Sequence, residues 1–247
     1  MTLYDQYLET GAFFSKHRGS LPIIVLIAGL IVYVINETHR TYELSIISKI
    51  NYERLCLSIS LAGLFIRIIT VGFTYKNTSG RETDGLVAER LNTTGMYSVV
   101  RHPLYFGNFL MWLGLAFMTQ NFWFIIILTS VFTLFYERIM LYEEQFLKDK
   151  YQNDFIDWSK RTPTFIPSLK NWKSPNTKFH LLRVLRREKN GLLGAFSSFL
   201  LYQMTADFFI YGKFEIRDWV VLGGFIASAL FYLLIKALQK TTTIFVE

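Results

Sequence analysis

Arg101 and His102 stand directly before Pro103, at the lip of an apolar block that runs from Leu104 to Tyr136, and Glu143 and Glu144 stand just beyond its far end. The block is too long for one membrane crossing and is interrupted at Thr119, Gln120 and Asn121, so it reads as a helical hairpin over 104–136. A hairpin brings both of its flanks to one face, where Arg101 and His102 can meet the two glutamates. Paired carboxylates there would oppose a cationic ligand, and a guanidinium would hold a carboxylate or phosphate. Pro103 suits the first turn of a helix and biases His102 towards an extended backbone, which presents the imidazole at the helix start.

Three further arginines are candidates. Arg138 follows the hairpin, and Arg161 precedes Pro163 and Pro167, which can turn the chain back over the hairpin mouth. Arg67 lies inside an apolar segment, where a charge is costly and faces a protein interior or a wet cavity. It is about 12 Å from the Tyr75 end, within snorkelling reach of the same level, whereas Asp207 sits about 24 Å from that face and is a poor partner. Taken singly, each feature has a plainer role: Arg101 as a headgroup anchor, His102 as a structural residue, the glutamates as a solvated helix face, Arg67 as a snorkelling cation.

The elements that must position these residues are helices in a membrane. Of 247 residues, 51% are hydrophobic and only 18% charged, and the apolar ones fall in long blocks: Leu21 to Ile35, Leu55 to Tyr75, the hairpin, Leu192 to Tyr211 and Trp219 to Ile235. This is an all-α, polytopic bundle of about six segments. Twenty of the 26 basic residues fall on one side, five on the other, and Arg67 inside a segment, so the crowded side is cytoplasmic. The net charge of +7 lies in loops beside membrane segments, which points to anionic lipid headgroups and away from nucleic acid. The first block lacks a cleavage pattern and should stay as a helix. The single cysteine, Cys56, excludes an internal disulfide and a multi-cysteine metal site; it reads as a small apolar residue, and no metal is expected.

Along the chain, residues 1–75 read as two helices and residues 76–103 as a connector with the turn-like "NTSGRETDG". Residues 137–190 begin as a helix and end as loop. Leu147, Tyr151, Phe155 and Trp158 form one stripe, as in an amphipathic helix lying at the interface. Tyr202, Phe208, Phe209 and Tyr211 read as lipid-facing or interfacial aromatics, and "RVLRREK" (183–189) as a positive-inside anchor. The expected organisation is 1–90 as N-terminal membrane helices and connector, 91–170 as the core, and 171–247 as a basic connector with two closing helices.

"GMYSVVRHPLYFG", the apolar hairpin and then "YEEQFLKDKYQNDFIDWSKRTPTFIP" together resemble the isoprenylcysteine carboxyl methyltransferase family and its phospholipid methyltransferase relatives. The likeness covers roughly residues 91–168, about a third of the chain. It implies an integral membrane enzyme that uses S-adenosyl-L-methionine at a cytoplasm-facing site, with a lipid or lipid-linked acceptor. By position it implies cofactor contacts from His102, Tyr105, Gly107, Glu143 and Glu144, with Tyr97 at the rim. Tyr151, Gln152, Phe155 and Trp158 stand where relatives often have Phe-Gly followed by two tyrosines, a departure that bears on the lipid-facing pocket.

A sulfonium donor needs carboxylates, aromatic faces and an orienting polar group, all of which this stretch offers. A carboxylate or phosphate acceptor is already ionised and needs only alignment and a cation. Arg161 is the first choice of cation, with Arg101 and Arg138 as alternatives and Arg67 able to serve from below. A prenylcysteine carboxylate or lipid phosphate fits this chemistry, and a phospholipid amine fits the same access. The alternatives are an NADPH-dependent sterol-reductase-like enzyme, which would want basic residues at a 2′-phosphate, and a non-enzymatic protein that keeps the fold. No Gly-rich loop follows a strand and opens a helix, so a soluble-type methyltransferase domain is disfavoured.

Overall fold

The computed structural model describes residues 1–40, 45–75, 78, 86 and 88–242. Its eight α-helices are α1 (Leu3–His17), α2 (Leu21–Thr38), α3 (Ile46–Phe73), α4 (Met96–Val99), α5 (Pro103–Met118), α6 (Phe122–Ser159), α7 (Leu181–Tyr211) and α8 (Trp219–Thr241), with a single 3-10 turn at Leu169–Asn171; the described residues contain no strand. Five helices, α2, α3, α6, α7 and α8, are long and apolar enough to cross a membrane, and α5 is a shorter apolar helix of 16 residues. The protein is an integral multi-pass membrane protein. All but one residue of the "NTSGRETDG" turn (77–85), Thr78, lies outside the described residues.

The hairpin turns at Thr119–Asn121. The Asn121 side chain caps α6 by accepting from the Phe124 N–H at 2.9 Å, and two carbonyls where α5 ends are satisfied by side chains of other helices. Tyr52 Oη donates to Phe117 O at 2.7 Å and Asn36 Nδ2 to Thr119 O at 2.9 Å. Such internal satisfaction is obligatory where water is scarce.

Helices α3 and α5 approach closely. A Cβ on Gly63 would strike the Gly107 carbonyl, Gly114 lies against Ser60, and Ser60 Oγ donates to Met111 O at 2.7 Å. Small residues let two backbones approach where lipid offers no hydrophobic drive for association.

Four features differ from the sequence reading. The first 75 residues hold three helices, because α1 precedes the membrane blocks. Thr2 and Asp5 form a capping box at its start, and Gly11 seats α1 against the Arg138 carbonyl of α6, with Phe14 and Phe135 stacked at 4.6 Å. Second, α6 runs on from the hairpin to Ser159 and is broken only at Gln152 (φ 44°, ψ −113°). Third, the stripe on its last turns faces the protein: Phe155 and Trp158 are buried, Leu147 and Trp158 line a cavity, and Tyr151 Oη donates to Ala88 O at 2.7 Å. Fourth, Tyr202 is fully buried, stacked on Tyr33 and donating to Leu26 O at 2.8 Å, whereas Phe208, Phe209 and Tyr211 are exposed as expected.

A polar knot closes the end of the bundle away from the Arg101–His102 face. Buried Glu53 accepts from Tyr33 Oη at 2.6 Å and Gln203 Nε2 at 2.7 Å, while Arg217 Nε lies 2.7 Å from Asp207 Oδ2. Arg54 donates bidentately to Asp218, at 3.0 and 2.9 Å, and Asp218 also caps α8 through Val220 N.

Candidate active site

At the other end, the hairpin brings its two flanks together. Arg101 Nη1 donates to Glu144 Oε2 at 2.6 Å, and a second Arg101 nitrogen donates to Thr164 Oγ1. His102, the N-cap of α5, places Nε2 2.9 Å from Glu144 Oε1 and Nδ1 3.6 Å from Glu143 Oε2. One turn further on, Tyr105 stacks on the imidazole at 5.6 Å and donates its hydroxyl to Glu143 Oε1 at 2.5 Å. The two adjacent glutamates thus divide: Glu144 ties Arg101 to His102, and Glu143 joins His102 to Tyr105.

Burial is the largest single influence on His102 and pushes its pKa down, but hydrogen bonds and charge from both glutamates outweigh it and hold the imidazole above its ordinary value. Imidazolium is the form that can donate to both carboxylates.

A cavity of about 630 Å³ opens beside this cluster. Its lining includes the polar groups of Glu143, His102 and Tyr105, the aromatic rings of Tyr97, Trp112, Tyr136 and Trp158, and the apolar Met111 and Leu147. Burial and the Glu143 charge push the Tyr97 phenol well above its ordinary pKa, so it stays neutral. Trp158 Nε1 donates to Tyr97 O at 2.9 Å, which fixes the indole against the rim. Glu144 lines instead a smaller groove of about 330 Å³ behind the cluster, with Phe132, Met140 and Phe165.

Of the arginines expected at the site, Arg101 lines the cavity, and its Nε is buried with no hydrogen-bond partner among the described residues. Arg67 lines it too, and its partner is Glu188 of α7: Nε and Nη2 donate to the two carboxylate oxygens at 2.9 and 2.8 Å, and Nη1 to Asn108 Oδ1 at 2.5 Å. Asp207 is bound instead to Arg217, at the other end. Arg138 is stacked over the Tyr7 ring at 3.2 Å, and Arg161 is exposed with Nε donating to Asp157 O at 3.1 Å; neither lines the cavity. Gly107 packs against Arg67 and Gly63, so its place is in the α3–α5 crossing.

Sequence reasoning missed Arg18, Arg90, Asn108 and Glu188. Arg18, in the turn between α1 and α2, lines the cavity with Nη1 3.9 Å from Glu143 Oε1. No local signal marks it; only the packing of α1 along α6 brings it there.

The family model for phospholipid methyltransferases matches residues 56–154, which take in most of α3, the hairpin and both glutamates. The nickel-cobalt-cadmium resistance protein NccN of Alcaligenes xylosoxydans xylosoxydans is 30% identical over 67% of this chain and 72% of its own length. Protein-S-isoprenylcysteine O-methyltransferase B of Arabidopsis thaliana is 33% identical over 40% of this chain and 50% of its own. The chain belongs to the isoprenylcysteine carboxyl methyltransferase and phospholipid methyltransferase family. A further relative, the cobalt-zinc-cadmium resistance protein CzcN of Cupriavidus metallidurans, is 34% identical over 49% of this chain, and the match spans about half of that protein. No solved structure matches. The part of the membrane methyltransferase core that the family model covers holds Arg67, His102, Tyr105 and Glu143, while Arg18, Trp158 and Glu188 come from outside it. Among the described residues, no group of three or more His, Cys, Asp or Glu side chains could hold a metal ion.

Proposed function

We propose that the cavity binds S-adenosyl-L-methionine and that the protein methylates an anionic oxygen, a prenylcysteine carboxylate or a lipid phosphate, from the cytoplasmic side of the membrane. The observation that carries this is Glu143: a carboxylate on the wall of a mixed polar and aromatic cavity, fixed through Tyr105 and His102. The residues present fit the cofactor. A volume of about 630 Å³ lies within the usual range for ligand pockets, Glu143 offers negative charge to a cation, and Tyr97 and Trp158 offer aromatic faces. The buried, unpartnered Nε of Arg101 is a donor that an anionic ligand would satisfy.

S-adenosyl-L-methionine, when bound, supplies a methyl group activated on a sulfonium. The chain's residues supply the rest. Glu143 balances the positive charge, and His102 and Tyr105 hold that carboxylate in place. Arg101, whose Nε lacks a partner among the described residues, would orient an ionised acceptor oxygen, which needs no proton removed, and Arg18 lines the same cavity. Met111, Trp112 and Leu147 give an acyl or prenyl chain an apolar wall.

Calorimetry on the folded, detergent-purified protein tests the reading. Glu143→Gln should weaken S-adenosyl-L-methionine binding by about tenfold or more, since it removes a charge-assisted contact. Glu144→Gln, which alters a residue behind the cavity, should weaken it less. Unchanged affinity in Glu143→Gln removes that carboxylate from the site, binding of NADPH by the parent protein favours the reductase alternative, and binding of neither points to a protein that keeps only the fold. Lipid mass spectrometry of cells with and without the protein, searched for a gain of one methyl group, identifies the acceptor.

A further inference from the structure

The segment joining α6 to α7 is pinned at both ends to membrane helices. Phe165 packs edge-on against Phe106 and Phe109 of α5, at 5.8 and 5.7 Å, and Phe179 packs against Phe73, the last residue of α3, at 5.2 Å. Its middle is pinned to α4 and the glycine before it: Ser168 N donates to Val99 O at 2.9 Å, Gly95 N to Lys173 O at 2.8 Å and Lys173 N to Ser98 Oγ at 2.9 Å. The backbone is therefore held at the level where α3 and α5 reach the cavity end of the bundle.

On this fixed backbone, large apolar side chains point outward. Ile166 and Leu169 are each 78% exposed and Trp172 is 48% exposed, although none of them belongs to a helix able to cross a membrane. Leaving them in water forfeits most of the burial free energy of each side chain. Interleaved with them are Lys160, Arg161, Lys170, Lys173 and Lys178, all exposed, and no Asp or Glu occurs between Asp157 and Glu188. Apolar plugs surrounded by cations and free of carboxylates complement a lipid interface that bears negative headgroups. An indole among the plugs suits headgroup depth.

We infer that residues 160–180 form an interfacial strap that seats Ile166, Leu169 and Trp172 among anionic lipids of the leaflet on the cavity side. The strap rests on its own residues and is independent of what the cavity binds. It holds the cavity mouth at a set depth against the headgroups, beside lipid that its lysines enrich.

Tryptophan quenching tests this on the full chain in nanodiscs of phosphatidylcholine mixed with phosphatidylglycerol, with bromine placed on the acyl chains of one lipid at a time. The chain has five tryptophans, so the Trp172 signal is the component lost in Trp172→Phe. That component should be quenched at least about twofold more by brominated phosphatidylglycerol than by brominated phosphatidylcholine at equal mole fraction, since each lysine near the surface adds attraction for anionic lipid. Replacing Lys170 and Lys173 together by Gln should bring the two values together. An Ile166→Trp variant gives a second reporter should Trp172→Phe fold poorly. Absence of quenching by either lipid overturns the strap and leaves water or a protein partner against this face; equal quenching by both overturns its preference for anionic lipid.

Discussion

Each ion pair at the cavity joins residues from separate parts of the chain, so charge here also fastens the fold. Arg67 shows the cost. Its side chain is 13% exposed and that of its partner Glu188 4%, and removal of either residue takes from the other, still buried, its bidentate ion pair. Arg67→Met and Glu188→Leu should each cost about 3–5 kcal/mol in unfolding stability, while the double variant should recover most of the loss. Denaturation in detergent of the four-member cycle checks this; additive losses would mean that the pair is not a unit. His102 gives a pH-dependent counterpart. Its pKa is raised in the fold, so the stability it brings is fully present below the ordinary imidazole value and is lost as pH rises through the elevated one. The melting-temperature gap between parent and His102→Asn should therefore narrow towards alkaline pH. The Arg101, His102 and glutamate cluster was legible in the sequence because a hairpin fixes which flanks must meet. Glu188 and Arg18 were not, since their partners are 121 and 125 residues away and no short motif encodes such a distance.

A helix in each apolar block was legible for a plain reason, since about 20 apolar residues in a row have little alternative to a membrane helix, but α3 and α7 begin nine and eleven residues before their apolar blocks. Orientation of side chains was not legible. Lipid is as apolar as a protein core, so buried Tyr202 and exposed Phe209 look alike in sequence, and the stripe of Phe155 and Trp158 reads equally well as facing lipid or an interior. The N-terminal helix α1 escaped notice because polar residues interrupt its apolar ones and the membrane blocks dominate. The break in α6 was also hidden, since Gln152 gives no sign of a positive φ. At φ 44° and ψ −113° a side chain is strained, which the surrounding packing must overcome. Gln152→Gly should accordingly raise stability by about 0.5–1 kcal/mol, whereas Gln152→Val should lower it. A thermal melt distinguishes these outcomes, and a loss on changing to Gly would indicate that α6 is continuous at this point.

Across the whole molecule, a family core of α3, the hairpin and most of α6 is completed from both sides by residues the core does not contain: Arg18 from the N-terminal turn, and Glu188 and Gly191 from α7. The two ends of the bundle are closed by opposite kinds of titrating group. At the knot, burial is the largest influence on Asp218 and raises its pKa, but the hydrogen bonds from Arg54 and Val220 outweigh it and hold the carboxyl below its ordinary value. Its contribution is present above the ordinary carboxylate range and fades as pH falls through the depressed value. His102, at the cavity end, fades in the opposite direction. Acid should therefore fray the molecule from one end and alkali from the other, with a plateau between. Hydrogen exchange, corrected for intrinsic rates, reads this directly: alkaline medium should expose amides around 97–105 first, and medium below about pH 4 those around 217–222. On that outcome the bundle has two separate acidity tolerances, one set at each end by a single titrating group.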